Sequence, residues 1–223
     1  MSARQVHPML NRTLYLESLE LNAALMNEIL QQITTFADHA HGDQTRKYTP
    51  DKYIVHPVRV MQICLEYTND ITVLAAALLH DVLEDTEVSK EQLTSFLNSL
   101  MSAPDRDKTI GLVVELTDIY TKANYPGFNR RKRKRMEVER IAKVSPEAQT
   151  IKYADVLDNS TEIIKHDPDF GKRFLEECRD LLIHAQHGNS QLRTRALATV
   201  SEGLSSLMTG FSGDQNVDTR IRK

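Results

Sequence analysis

Leu78-Leu79-His80-Asp81-Val82-Leu83-Glu84-Asp85-Thr86 sets a histidine and three carboxylates directly after the apolar run Val73–Leu79. Such a run belongs in a core, and charged groups this close to a core need a partner. Read as one helix, the stretch places His80 and Glu84, and Asp81 and Asp85, four residues apart. Asp81 and Glu84 are then three apart, so all four project from one side. Ala75, Leu78, Leu79 and Val82 fall on the opposite side and suit the core. A divalent metal is the natural partner for the polar set, since imidazole and carboxylate together suit a first-row ion that keeps positions open for water. A helix C-terminus with a solvated acidic end has the same local pattern, so the rest of the chain has to supply further ligands.

Two segments supply them. Tyr53-Ile54-Val55-His56-Pro57 opens an apolar-periodic stretch through Val58, Met61 and Leu65. Pro57 suits a first helical turn, which leaves His56 on the N-cap side. In Ile151-Lys152-Tyr153-Ala154-Asp155-Val156-Leu157-Asp158-Asn159, Ile151, Ala154 and Leu157 keep helical spacing. Asp155 and Asn159 lie one turn apart on the same face. The order His56, His80-Asp81, Asp155 makes a set of two imidazoles and two carboxylates.

In that order and in those words the chain resembles the HD-domain metal phosphohydrolases. Ala40-His41-Gly42-Asp43-Gln44-Thr45-Arg46-Lys47, followed by the His56, His80 and Asp155 segments, resembles the hydrolase domain of the RelA/SpoT proteins and their stand-alone small alarmone hydrolase relatives. The likeness runs over roughly residues 30 to 190, and ordered motifs are more specific than any single one. The resemblance implies an all-α HD-domain helical bundle with a metal site in its core. It also implies hydrolysis of the 3′-pyrophosphate of (p)ppGpp or a related alarmone with one manganese ion, another divalent first-row metal being the alternative. His56, His80, Asp81 and Asp155 would be the metal ligands. Glu84 and Asp85 would be the acidic pair that activates water, Arg46 and Lys47 would contact base and phosphates, and Asn159 would contact the sugar.

The chain departs from the family pattern in three places. Thr161 and Glu162 stand where an arginine and a threonine often follow the asparagine. Tyr153 replaces an aliphatic residue, and Tyr48-Thr49-Pro50-Asp51-Lys52 replaces a short glycine-containing turn. These changes leave the metal set intact and bear on the substrate. They keep open a phosphatase acting on another nucleotide such as NADPH, and a nucleotide sensor that does not cut. The water-activating carboxylates argue against the sensor.

The basic run Arg130-Arg131-Lys132-Arg133-Lys134-Arg135 has two readings. It is a solvated basic helix end, or part of it faces the metal and binds phosphates, offsetting charge in the transition state. Arg131 and Lys134, three apart, are the pair expected to point inward. A nucleic-acid surface is not expected, because aromatics are sparse and the overall charge is slightly acidic.

Composition fits one catalytic domain. The chain has 223 residues, of which 40% are hydrophobic and 26% charged, and a net charge of −3, figures that suit a globule without a pull toward nucleic acid or membrane. Residues 1–209 are expected to form the single domain and 210–223 a disordered polar tail. Cys64 and Cys178 make no disulfide framework, which points to a reducing cytoplasm. Met1–Leu10 lacks the apolar core of a signal peptide, and no apolar run approaches the ~20 residues that span a bilayer. The partner expected is a small nucleotide, and pairing of copies through outer helices is open by analogy.

Periodicity predicts helices nearly throughout. A long one ends at Gly42, a second runs from about Val58 to Tyr67, and the His-Asp helix starts near Thr72. A capped one covers Ser89–Leu100, followed by a loop at Ala103-Pro104-Asp105 and a helix over Thr109–Thr121. A turn at Asn124–Gly127 precedes a helix over Arg131–Val144. The Asp155 helix starts at Ser145-Pro146 and stops at His166-Asp167-Pro168. Two more cover Gly171–His187 and Ser190–Met208.

Overall fold

The computed structural model describes residues 8–210, with side chains described for 20–208. Ten helices follow one another: α1 (Pro8–His41), α2 (Val55–Leu65), α3 (Ile71–Leu79), α4 (Val82–Asp85), α5 (Lys90–Leu97), α6 (Ala103–Leu116), α7 (Arg130–Ile141), α8 (Pro146–His166), α9 (Pro168–His184) and α10 (Ser190–Gly210). Among the described residues there is no strand, only an isolated bridge between Thr45 and Lys52. Also among them, no helix is long and apolar enough to cross a membrane.

Helix α3 organises the bundle. Every residue from Thr72 to Leu79 is buried, so the helix has no solvent face. A helix apolar all round must be surrounded, and α1, α2, α6 and α8 pack against it. Helix α10 closes over α8 and α9, α5 rests on α6, and α7 rests on α9. One apolar cluster runs from Leu30 in α1 to Leu207 in α10.

Several helix ends follow local chemistry. Gly42 adopts φ 56°, and its N–H returns to the carbonyl of Asp38 at 2.9 Å, which stops α1 where the sequence placed the stop. Asp70 caps α3 through the N–H of Thr72. Ser89 and Gln92 form the reciprocal capping box of α5. Ser145 caps α8 with Pro146 just inside.

Four expectations need correction. The His-Asp stretch is not one helix: α3 ends at Leu79 and Asp81 becomes the N-cap of α4 with φ −98° and ψ −7°, a break that turns two consecutive side chains toward one point. Ala103-Pro104-Asp105 is not a loop but the first turn of α6. Ser102 caps the N–H of Asp105, and proline is tolerated in a first turn. Helix α6 stops at Leu116 rather than Thr121. The N–H groups of Asp118, Ile119 and Tyr120 are taken by the Glu84 and Glu137 carboxylates instead of preceding carbonyls. Helix α2 starts at Val55, so His56 lies inside its first turn and not on the cap side. Gly210 closes α10, and the remainder of the expected tail, like residues 1–7, lies outside the described residues.

Candidate metal centre

Four side chains from three regions meet between α2, the α3–α4 break and α8. The ligand atoms of His56, His80 and Asp81 lie within 4.8 Å of one another. Asp155 joins them, its Oδ1 3.3 Å from His56 Nε2 and 4.0 Å from His80 Nε2. Asp81 Oδ2 is 3.0 Å from His80 Nε2 and 3.7 Å from His56 Nε2. Each imidazole has its other nitrogen engaged. His80 Nδ1 donates to the Ala77 carbonyl at 2.8 Å, and His56 Nδ1 donates to Asp158 Oδ2 at 2.7 Å. Both rings therefore turn Nε2 toward the carboxylates. His80 Nε2 is buried and makes no well-directed hydrogen bond, its nearest neighbour being the Asp81 carboxylate at 3.0 Å, and a buried polar atom so poorly satisfied needs an explanation. A divalent cation held by these four residues would provide it, and the donor set of two imidazoles and two carboxylates fits such an ion.

The electrostatics keep both carboxylates of the set ionised. Burial would raise the Asp81 carboxyl, but the neighbouring His80 outweighs it and holds Asp81 well below the usual range. Burial opposes Asp155 in the same way, and Lys152 and His56 hold it ionised. Lys152 Nζ sits 2.8 Å from Asp155 Oδ2. Burial would lower His80, yet Asp81 lifts it to about 9, so this ring carries a proton that a cation would displace. Tyr53 donates to Asp81 Oδ2 at 2.6 Å and approaches Asp85 Oδ2 at 3.3 Å.

Glu84 and Asp85 occupy different surroundings. Glu84 lines the cavity beside the centre and accepts the backbone N–H of Asp118 at 2.8 Å. Burial and the Asp118 carboxylate push it up to about 7. Asp85 is raised by burial and by Asp81, lies against the Tyr53 hydroxyl, and its carbonyl is held by Gln44 at 2.8 Å.

The cavity, of about 1190 Å³, opens from Asp81, Glu84, Lys152 and Asp155 toward α7 and α9. Arg131 and Lys134 both line it. Lys134 lies 3.1 Å from Asp118, whereas Arg131 and Arg173, opposite on α9, have no charged partner among the described residues. Asn159 also lines the cavity and donates to Asp155 Oδ1 at 2.6 Å. Arg46 is committed to the protein. Its Nη2 donates to Asn159 Oδ1 at 2.8 Å and to Glu162 Oε2 at 2.7 Å, and its side chain is only 8% exposed. Lys47 points elsewhere, toward Tyr48 and Asp167 on the surface.

Several contributors escaped the sequence reading: Tyr53, Arg59, Asp118, Glu137, Lys152, Asp158 and Arg173. Some carried a usable signal. Arg59 stands three residues after His56, and Asp158 and Lys152 stand three residues from Asp155, which places each on the ligand-bearing face of its helix. His41 is buried, its ring centroid 4.4 Å from that of Tyr53, and bonded to Gln44. His184 and His187 are exposed. The Tyr153 departure is structural: the ring is fully buried and its hydroxyl donates to the Ala185 carbonyl at 2.8 Å.

The HD domain family model matches residues 53–160, a span that contains all four candidate ligand residues. The chain is similar to the guanosine-3′,5′-bis(diphosphate) 3′-pyrophosphohydrolase of Vibrio cholerae, 34% identical over 164 residues, covering 72% of this chain and 21% of that protein. It is similar to the mouse protein of that name, MESH1, 34% identical over 144 residues, covering 62% of this chain and 72% of the relative. The chain thus spans about a fifth of the bacterial relative (21%) and most of the animal one (72%). A solved structure described as a metazoan ortholog of SpoT that hydrolyzes ppGpp superposes with a TM-score of 0.64 at 28% identity, covering 79% of this chain and 96% of that one.

Proposed function

The chain belongs to the HD-domain family of guanosine-3′,5′-bis(diphosphate) 3′-pyrophosphohydrolases, and from that premise we propose that it removes the 3′-pyrophosphate of ppGpp or a closely related nucleotide, with manganese as its metal. The observation that carries this reading is the convergence of His56, His80, Asp81 and Asp155 at the head of a cavity whose mixed-charge lining includes Arg131, Lys134, Lys152 and Arg173. A divalent ion held by those four residues supplies Lewis acidity, lowering the pKa of water and offsetting charge on the attacked phosphorus.

The chain's own residues do the rest. Glu84 faces the cavity with a pKa near the working pH, as a general base requires, whereas Asp85 is turned into the Tyr53 hydroxyl. Glu84 is therefore the proton acceptor and Asp85 a support. Water adds to the phosphorus bonded to O3′, the P–O3′ bond breaks, pyrophosphate departs and the 3′ oxygen takes up a proton. Lys152, Arg131, Lys134 and Arg173 line the same space and offset phosphate charge. Asn159, held by Arg46, would contact the sugar. Cys64 and Cys178 are buried free thiols, which supports a reducing cytoplasm as the location.

One observation favours keeping a second substrate in the test. Arg46, expected at the base, has its Nε and Nη2 groups bonded to Asn159 and Glu162. Release of pyrophosphate and phosphate from ppGpp, ppApp, NADPH and simple mononucleotides is therefore measured with added manganese, with Asp81→Ala as control. Pyrophosphate from ppGpp or ppApp, lost in the control, supports the proposal. Phosphate from NADPH alone moves the activity to a phosphatase, and tight binding without turnover under any divalent metal leaves a sensor.

A further inference from the structure

We propose that Asp158 is the positioning residue of the metal centre, fixing His56 through its Nδ1, and that Arg59 and Glu162 hold Asp158 in place. The inference rests on the metal-hydrolase reading above and assigns a role to three residues outside the ligand set. Asp158 is 8% exposed. A carboxylate that deep is costly unless it is paired and hydrogen-bonded. Asp158 is both: Oδ2 accepts from His56 Nδ1 at 2.7 Å and from Arg59 Nη2 at 3.2 Å, and Oδ1 accepts from Arg59 Nε at 2.6 Å.

The two imidazoles of the centre are thereby held by different means. His80 is oriented by a neutral backbone carbonyl, and His56 by an anion. A carboxylate behind a ligating histidine fixes tautomer and ring plane and makes the facing nitrogen a better donor. With Nδ1–H committed to Asp158, His56 can present only Nε2 to the metal position, where Asp155 Oδ1 stands 3.3 Å away.

Asp158 needs a cation, because it lies one helical turn from Asp155 and Glu162 on α8. Arg59, from the facing helix α2, supplies it. Its guanidinium also bonds Glu162 Oε1, and Glu162 Oε2 in turn accepts from Arg46. The chain His56–Asp158–Arg59–Glu162–Arg46 is continuous. The glutamate that departs from the family pattern is thus the anchor of the Arg59 clamp. The cation missing at Thr161 is brought from another helix, while Thr161 itself only bonds the Leu157 carbonyl.

A network that merely glued α2 to α8 would set stability and leave metal affinity alone. The test uses the full-length protein stripped of metal, with Asp158→Ala, Asp158→Asn and Arg59→Gln. Manganese Kd is read by competition with a fluorescent chelator, and thermal unfolding of each apo form by circular dichroism. Loss of a residue behind a metal ligand weakens binding roughly 10- to 100-fold. That range is expected for Asp158→Ala, with a smaller loss for Asp158→Asn, whose amide oxygen still accepts from Nδ1, and for Arg59→Gln. The apo Tm of Asp158→Asn stays close to wild type. If Asp158→Ala does not fold, the two milder variants decide. Wild-type Kd in the folded variants overturns the positioning role. A fall in apo Tm with no change in Kd does the same. Failure of the wild-type protein to bind manganese overturns the metal-centre reading instead.

Discussion

Replacing Glu137 with alanine tests whether a buried carboxylate shapes the wall of the cavity. Glu137 is 3% exposed on α7. Its Oε1 accepts the N–H groups of Ile119 at 2.6 Å and Tyr120 at 2.7 Å, and Oε2 accepts from Arg140 Nε at 2.7 Å. Alanine removes three charge-assisted bonds at once and leaves the mostly buried Arg140 guanidinium with its bond to the Glu115 carbonyl alone. Each buried group left without a partner costs about 1–3 kcal/mol, and breaking a buried ion pair costs about 3–5 kcal/mol. These costs overlap, and Ile119 is 46% exposed, so water can serve its N–H. The expected loss is therefore about 3–4 kcal/mol. In a chain of this length each kcal/mol moves Tm by about 2–4 °C, so Tm should fall by roughly 10 °C. Glu137→Gln keeps an acceptor oxygen and should lose about half as much. Function should suffer separately. The segment after α6 also presents the Asp118 N–H that holds Glu84, so kcat should drop at 25 °C, where the variant is still folded. Thermal unfolding followed by circular dichroism, with pyrophosphate release at 25 °C, measures both. A Tm within about 2 °C of wild type would refute the reasoning, since that shift corresponds to an exposed carboxylate contributing no more than a surface pair.

Two further predictions follow from the same geometry. A Cβ at Gly188 would stand 2.5 Å from Tyr153 Cε2 and 2.8 Å from the Thr150 amide nitrogen, so Gly188→Ala should destabilise by about 1–3 kcal/mol, and an unchanged urea midpoint would show that the α9–α10 turn yields freely. Glu84, pushed up to about 7 by burial and Asp118, accepts a proton only when ionised. Activity should therefore rise with pH through a midpoint at or slightly below 7, because the bound cation opposes the upward shift. A profile flat from about pH 5.5 to 8 would remove Glu84 as the base.

The features legible in the sequence are those decided within a few residues. The stops at Gly42 and His166-Asp167-Pro168 and the caps at Ser89 and Ser145 depend on one residue's backbone freedom or one side chain reaching its own helix, and they stand where they were expected. The all-α character follows from periodicity in the same local way. His56, His80, Asp81 and Asp155 could be named because their order along the chain resembles that of a known family of metal hydrolases, and the chain brings those four together.

What tertiary structure alone decided involves partners far apart in the chain. Helix α6 ends at Leu116, and Glu84 and Glu137, from α4 and α7, capture the N–H groups of Asp118, Ile119 and Tyr120, a competition of which periodicity carries no trace. The break at His80-Asp81 arises where the fully buried α3 meets the site, letting neighbouring side chains face one point that a continuous helix would have split by about 100°. Nothing in the local sequence around Arg59, Asp158 and Glu162 pairs them with one another. Only the packing of α2 against α8 buries them together, and burial is what turns a surface charge into one that must be paired.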